Sequence, residues 1–217
     1  MQVVIAVFDR LTILDAIGPY QVLTRIPGAE IVLAGQRRGP VTDNVGAAQL
    51  SAGASFDEVP RPDLIVVPGG PGQADHMTGG PLREWLIAAD ATSTWTTSVC
   101  TGALILAGAG LLAGRAATTH WLAKDELARL GAKPSDERYV FDGKYVTAAG
   151  VSAGIDMALA LVARIAGDEA AQDAQLSIEY DPHPPFNAGS PATAPADLVA
   201  AQRAGNRFAG ALDATAQ

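Results

Sequence analysis

The sequence contains a single cysteine, Cys100, among its 217 residues. A lone cysteine excludes an intrachain disulfide and any zinc site built from clustered cysteines. This usage is typical of proteins from reducing compartments, so we expect a cytoplasmic location. Of the three histidines, His76 and His183 lie in predicted loops without matching ligands. We therefore predict no metal site.

Long hydrophobic runs are also missing. The longest weakly polar run, Ala103 to Ala113, is rich in glycine and far shorter than the about 20 apolar residues that span a bilayer. Met1 leads directly into an apolar segment, with neither a basic n-region nor a small-residue cleavage site. We expect a protein that neither spans nor enters a membrane.

Positive charge is scarce and scattered. The 15 basic residues are outnumbered by 23 acidic ones, and the net charge is -8. Arg37 and Arg38 form the only adjacent basic pair. Because binding to phosphate backbones needs clustered lysine and arginine, we expect no nucleic-acid partner.

What the sequence does contain is a set of short apolar runs alternating with segments of helical spacing. These runs are nearly continuous rather than alternating, as in parallel strands buried on both faces: Val3 to Val7, Ile31 to Leu33, Leu64 to Val67 and Trp95 to Val99. Helical spacing recurs at 14–23, 82–86, 104–112 and 122–130. The pattern predicts an α/β fold of one domain, 1–217, with a parallel sheet between helices.

Several smaller features extend this prediction. Turn residues predict a hairpin within 36–55, and Asp142-Gly143 predicts another between 138–141 and 145–148. Ser152 and Asp168 are candidate N-caps of two helices, 153–165 and 169–177. Five prolines in 181–195 exclude regular structure there, and a final helix follows at roughly 196–209.

Cys100 falls where a strand gives way to a helix without an intervening loop. The run Trp95 to Val99 leads into Cys100-Thr101-Gly102, and helical spacing starts at once. This predicts a nucleophile elbow, which exposes the side chain at the carboxyl edge of the sheet and places it at a helix N-terminus that lowers its pKa. The alternative is an inert buried cysteine. The strand-to-helix context favours the nucleophile.

A glycine-rich loop follows the strand at 64–67. Its sequence Pro68-Gly69-Gly70 lets backbone N–H groups approach a ligand at the same sheet edge. The N–H groups of Gly70 and Thr101 form a candidate oxyanion hole, although an ordinary turn explains the loop as well. Neither the Walker spacing nor the dinucleotide fingerprint is present.

Asp15 is an acid inside the apolar stretch after the first strand. A helix N-cap would explain it. If it points into the crevice instead, it is a general acid/base beside the thiol, and partial burial would raise its pKa.

Together these motifs resemble the ThiJ/PfpI superfamily, a flavodoxin-like α/β fold related to class I glutamine amidotransferases, and within it the isocyanide hydratase branch. Five segments carry the resemblance: Leu14 to Pro19, 68–70, Ser98 to Gly102, Ala117 to Trp121, and the tail from Tyr180 to Pro191. Many other members have histidine after the cysteine and glutamate at the position of Asp15. This chain has neither, so we do not expect a Cys-His peptidase.

The resemblance implies roles for individual residues. Cys100 would be the nucleophile and Asp15 its acid/base partner, with Thr101 contributing its hydroxyl and N–H. Gly69 and Gly70 would help to bind charge, and Val151 would line the substrate crevice. His120 is interpreted as structural.

The implied reaction is hydration of an organic isocyanide to the N-formamide through a cysteine thioimidate, without cofactor and in a homodimer. Two rival functions stay open. One is a ligand-binding domain like those of AraC-type regulators, which the lack of a basic helix-turn-helix segment after Pro185 disfavours. The other is a cysteine hydrolase or glyoxalase on the same fold.

Overall fold

The computed structural model describes residues 1–206, and the expected continuation of the last helix to 209 lies partly outside them. The strands are β1 Gln2–Ala6, β2 Glu30–Gly35, β3 Gly39–Thr42, β4 Gln49–Ala52, β5 Ala54–Ser55, β6 Leu64–Val67, β7 Trp95–Val99, β8 Ala116–Ala117, β9 Lys133–Pro134, β10 Tyr139–Asp142 and β11 Tyr145–Ala148. The helices are α1 Ile13–Leu23, α2 Pro81–Asp90, α3 Gly102–Gly108, α4 Lys124–Arg129, α5 Ala153–Ala166, α6 Asp168–Ser177 and α7 Ala196–Ala204.

The central sheet has seven strands in the order β10-β11-β7-β6-β1-β2-β5. Every neighbouring pair is parallel except β10 with β11. Strands β1 and β6 are buried along nearly their whole length because helices cover both faces, which explains their continuous apolar sequence. The structure confirms the flavodoxin-like α/β prediction, and the buried hydrophobic side chains of 1–206 form one cluster.

The switch in chain direction determines where a site can form. The chain leaves β1 towards β2 on one side and returns to β6 on the other, so the crevice opens between the carboxyl ends of β1 and β6. The segments after these two strands and β7 carry Asp15, Gly69 and Cys100. Three motifs far apart in sequence therefore meet at one edge.

Both predicted hairpins are present, as β3–β4 and β10–β11. The predicted caps are wrong. Ser152 occupies the N-cap position of α5 but makes no capping hydrogen bond, because its hydroxyl accepts from Arg138 Nη2 at 3.3 Å. Gly167, not Asp168, precedes the first residue of α6.

One further helix boundary differs from the prediction. Helix α3 ends at Gly108, earlier than the apolar run to Leu112 suggested, because the chain turns at Gly110 with φ 81°.

No helix within 1–206 is long and apolar enough to cross a membrane.

Candidate active site

Cys100 occupies a strained turn between β7 and α3. Its φ is 55°, a left-handed value that a non-glycine residue adopts only when its surroundings enforce it. Its N–H donates to the carbonyl oxygen of Ala149 at 2.9 Å, and its own carbonyl accepts the Thr119 hydroxyl at 2.8 Å. These bonds hold the backbone of Cys100 in a sharp turn between β7 and α3.

Gly102 permits this turn to pack against β6. A Cβ atom at this position would lie 2.1 Å from the carbonyl oxygen of Val67, which is backbone and has no freedom to move aside. Only glycine allows the start of α3 to approach the end of β6 so closely.

Asp15 lies in the first turn of α1 with its side chain fully buried. Thr12 takes the N-cap position, so the capping explanation of Asp15 is wrong. Instead, Asp15 Oδ2 accepts the N–H of Gly69 at 2.9 Å, and Oδ1 has no hydrogen-bond partner within 1–206. A buried carboxyl oxygen without a partner is costly for the stability of the fold.

The surroundings of Asp15 change its acidity. Burial raises its pKa to about 7, while the Gly69 N–H and the Cys100 thiol act in the opposite direction. Desolvation outweighs these two opposing influences because the carboxyl group is fully buried. A carboxyl group that titrates near neutrality is suited to both accepting and donating a proton.

The structure corrects two expectations about Cys100. The side chain is only 2% exposed, and its pKa is raised, by burial first and then by the negative charge of Asp15. The N–H groups of Val151 and Thr101 lower the pKa but do not compensate. Helix α3 has only seven residues, so its N-terminus contributes little against the desolvation of a thiolate.

The N–H groups of the predicted oxyanion hole are also used differently from the prediction. The Gly69 N–H is bound to Asp15, and the Gly70 N–H donates to the hydroxyl of Thr101 at 2.9 Å. Thr101 is fully buried, and its hydroxyl also lies 3.5 Å from Gln73 Oε1. In this conformation these groups hold the loop against the elbow rather than offering free N–H groups.

A cleft of about 670 Å³ borders the elbow. It is lined by Thr119, Ala149 and Val151, all of which surround Cys100, and by the segment 189–192. Val151, with φ 26°, directs its N–H at the sulfur. The sequence assigned no role to Thr119, although it lies in the Thr-Thr-His-Trp motif that carries the resemblance.

His120 caps the short 3₁₀ helix Trp121–Ala123, where its Nδ1 accepts the Leu122 N–H at 3.3 Å. Its structural interpretation agrees with this bond, and its ring also lines the cleft. Residues 1–206 contain no group of three acidic, histidine or cysteine side chains that could hold a metal ion.

The DJ-1/PfpI family profile matches residues 1–164. The chain belongs to the DJ-1/PfpI family. It is 42% identical to the isonitrile hydratase of Pseudomonas putida over 199 residues, 92% of this chain and 87% of that protein. The recognition from sequence is therefore confirmed at the level of the family.

Two other relatives bear on the fold and on the rival functions. A ThiJ/PfpI protein from Pseudomonas syringae, of the same family, matches with a TM-score of 0.92 and 36% identity, over 97% of this chain and 90% of that one. The regulator CdhR of Pseudomonas aeruginosa is 35% identical over 61% of this chain but only 40% of its own length. The similarity to the regulator covers a minor part of that protein.

Proposed function

We propose that the protein is an isonitrile hydratase, which converts R–N≡C and water into R–NH–CHO. The observation that carries the proposal is the placement of a buried carboxyl group of pKa about 7, with one oxygen unpartnered, beside the Cys100 thiol. The similarity over 92% of the chain to an isonitrile hydratase supports the same reaction. The proposed roles use only the chain's own residues and no cofactor.

In the first step, Asp15 as carboxylate takes the proton of the thiol. The sulfur bonds to the terminal carbon of the isonitrile, and Asp15 returns the proton to that same carbon. The product is the thioimidate R–N=CH–S–Cys100. Because a free thiolate is disfavoured in this buried position, transfer of the thiol proton must accompany carbon–sulfur bond formation.

In the second step, Asp15 takes a proton from water, whose oxygen bonds to the thioimidate carbon. Asp15 passes this proton to the nitrogen, and the carbon–sulfur bond then breaks as the remaining proton of the added hydroxyl is transferred to the sulfur. The formamide R–NH–CHO leaves with the thiol restored. One difficult hydration is thereby divided into two additions to an activated carbon.

The electrostatics of the site favour a neutral, slender substrate. Both reacting groups are buried, and the N–H groups that would stabilise a carbonyl oxyanion at Gly69 and Gly70 already have acceptors. An isonitrile reacts at a terminal carbon and develops no alkoxide in its first step. Hydrolysis of an amide or peptide would require oxyanion donors, which Gly69 and Gly70 do not offer in this conformation.

The proposal includes two further expectations, one about the oligomeric state of the protein and one about its cellular location. We propose that the protein acts as a homodimer, as its resemblance implies, and that it works in the cytoplasm, as its single thiol suggests. Sedimentation velocity of the purified chain tests the first, and fractionation of the source cells tests the second.

The decisive experiment is incubation with an aryl isonitrile, with the formamide followed by mass spectrometry. Methylglyoxal and simple amides serve as competing substrates. We expect formamide from the wild type and none from Cys100→Ala. Ser98→Ala is the matched control, since the Ser98 hydroxyl is buried without a partner within 1–206 and its removal should leave the fold intact.

Full turnover by Cys100→Ala would overturn the proposal. Turnover of methylglyoxal but not of the isonitrile would instead favour a glyoxalase. Tight binding of the isonitrile without any product would favour the ligand-binding function of a regulator domain.

A further inference from the structure

The backbone of Cys100 is fixed at both its N–H group and its carbonyl group. The N–H donates to the carbonyl oxygens of Ala149 at 2.9 Å and Ala148 at 3.1 Å, at and just beyond the end of β11. The carbonyl accepts the Thr119 hydroxyl at 2.8 Å and the Ala103 N–H at 3.4 Å. Because 3.4 Å is long for a hydrogen bond from an N–H group, the Thr119 hydroxyl is the principal donor to this carbonyl.

The hydrogen bond between Thr119 and Cys100 lies in the interior of the protein. Thr119 is fully buried and Cys100 is only 2% exposed, so a donor lost at this point is not readily replaced by water. The donor comes from outside the turn between β7 and α3, since Thr119 lies 19 residues further along the chain than Cys100. The turn therefore depends on a contact that its own sequence does not supply.

The residue before Thr119 fixes the segment that carries this donor. The N–H of Thr118 donates to the Thr147 hydroxyl at 2.8 Å, and the Thr118 hydroxyl donates to the Ser135 carbonyl at 3.1 Å. These bonds attach the segment to β11 on one side and to the chain after β9 on the other. Two neighbouring threonine hydroxyls thus serve different partners, and only that of Thr119 is directed to Cys100.

The left-handed backbone of Cys100 determines where its sulfur lies. With φ at 55°, this conformation is unfavourable for a residue with a Cβ atom and persists only because its surroundings enforce it. From this turn the thiol contacts the Asp15 carboxyl group and the Val151 N–H. A return of the backbone to a more common conformation would carry the sulfur away from both partners.

We infer that Thr119 is a positioning residue for the Cys100 nucleophile: its hydroxyl holds the Cys100 carbonyl and thereby keeps the sulfur beside the Asp15 carboxyl group. Thr119 acts through the backbone of Cys100 and takes no part in the steps that make and break bonds. The inference rests on the roles of Cys100 and Asp15 in the proposed function, but it does not depend on the identity of the substrate.

The variant Thr119→Val keeps the shape of the side chain and removes its hydrogen-bond donor. We expect kcat for phenyl isonitrile hydration to fall roughly tenfold or more, because the sulfur is less often in position for proton transfer to Asp15. KM should stay within about twofold of the wild-type value, since the lost alignment is needed only in the transition state. Thr119→Ser retains the hydroxyl and should recover most of kcat.

Thr97→Val is the matched control. Thr97 is also fully buried, and its hydroxyl donates to the Ile65 carbonyl at 2.9 Å on the strand that leads to Cys100. Both valine variants lose one buried bond from a hydroxyl to a carbonyl, so their melting temperatures should fall to a similar extent. Only Thr119→Val should lose kcat. Thr119→Ala removes the same hydroxyl with less bulk and takes the place of the valine variant if that variant does not fold.

Alkylation by iodoacetamide tests the same geometry without an isonitrile, since Cys100 is the only cysteine of the chain. Burial raises the pKa of Asp15 to about 7. The wild-type alkylation rate should therefore rise as the pH passes about 7, where the Asp15 carboxylate becomes able to accept the thiol proton. Thr119→Val should lose this rise and react only in the alkaline range, as a thiol without a base does. Thr119→Ser and Thr97→Val should keep the wild-type profile.

The outcomes separate this inference from the function on which it rests. A wild-type kcat and a wild-type alkylation profile in Thr119→Val would overturn the inference, as would an equal loss of kcat in Thr97→Val. If the wild type hydrates no isonitrile, the proposed reaction falls, but the alkylation profiles still decide the role of Thr119. A wild-type profile without the rise near pH 7 would overturn both the inference and the role of Asp15.

Discussion

The backbone N–H of Gly70 donates to the hydroxyl of Thr101 at 2.9 Å, so the residue after the cysteine holds the loop that follows β6. The neighbouring N–H, from Gly69, holds the carboxyl group of Asp15. One short loop therefore positions both the elbow and its acid/base partner. Disturbing either bond is expected to affect stability and catalysis together.

Replacing Asp15 by asparagine should lower kcat for isonitrile hydration by about 100-fold or more, since the site loses the carboxylate that accepts the thiol proton while keeping an oxygen for the Gly69 N–H. Asp9→Asn is the matched control: Asp9 also follows β1, but its carboxylate is exposed and accepts the Thr42 N–H. Steady-state kinetics of both variants measure kcat. Equal losses of kcat in the two variants would contradict a specific role for Asp15.

The raised pKa of Asp15 predicts an unusual dependence of stability on pH. The unfolded chain releases this proton near the ordinary aspartate pKa of 3.8, whereas the folded protein keeps it until the pH reaches about 7. The unfolded state therefore binds fewer protons between these values, and the contribution of Asp15 to stability falls as pH rises from about 4 to 7.

Asp15→Asn removes this penalty. Relative to wild type, the variant should gain stability with increasing pH and level off above about pH 7, by up to about 4 kcal/mol. Urea unfolding of both proteins from pH 4 to 8 measures the difference. A difference that stays constant over the whole range would show that Asp15 titrates normally.

Thr101→Val keeps the shape of the side chain but leaves the buried Gly70 N–H without its acceptor. We expect a loss of about 1–3 kcal/mol in the free energy of unfolding, together with reduced turnover. Thr101→Ser retains the hydroxyl and should recover most of both. If valine and serine behave alike, the hydrogen bond does not hold the loop.

Gly102→Ala places a methyl group 2.1 Å from the Val67 carbonyl. The start of α3 must then move away from β6, at a cost of about 3 kcal/mol, and the Cys100 turn moves with it. Gly79→Ala is the control, since nothing lies within 4 Å of its added Cβ. Thermal unfolding of the two variants should differ clearly, and similar melting temperatures would argue against the close contact.

Local sequence patterns predicted most of the fold and the place of the candidate site. The apolar runs of β1, β6 and β7 and the turn at Asp142-Gly143 specify their own structures, because strand burial and turn geometry depend on neighbouring residues. The change from strand to helix at Cys100 likewise follows from adjacent residues. The approach of Asp15 to the thiol followed from the rule that carboxyl ends of parallel strands share one edge.

Only the tertiary structure decided the acidity of the site and the use of its N–H groups. The sequence placed Cys100 at a helix start, which favours a thiolate, but the packing around it removes water and raises the pKa of both Cys100 and Asp15. Ser152 shows the same limit, since a distant arginine takes the hydroxyl that was expected to cap α5. Desolvation and competition for hydrogen bonds depend on atoms that the fold brings together from distant parts of the chain. A local sequence pattern does not show which of these atoms come into contact.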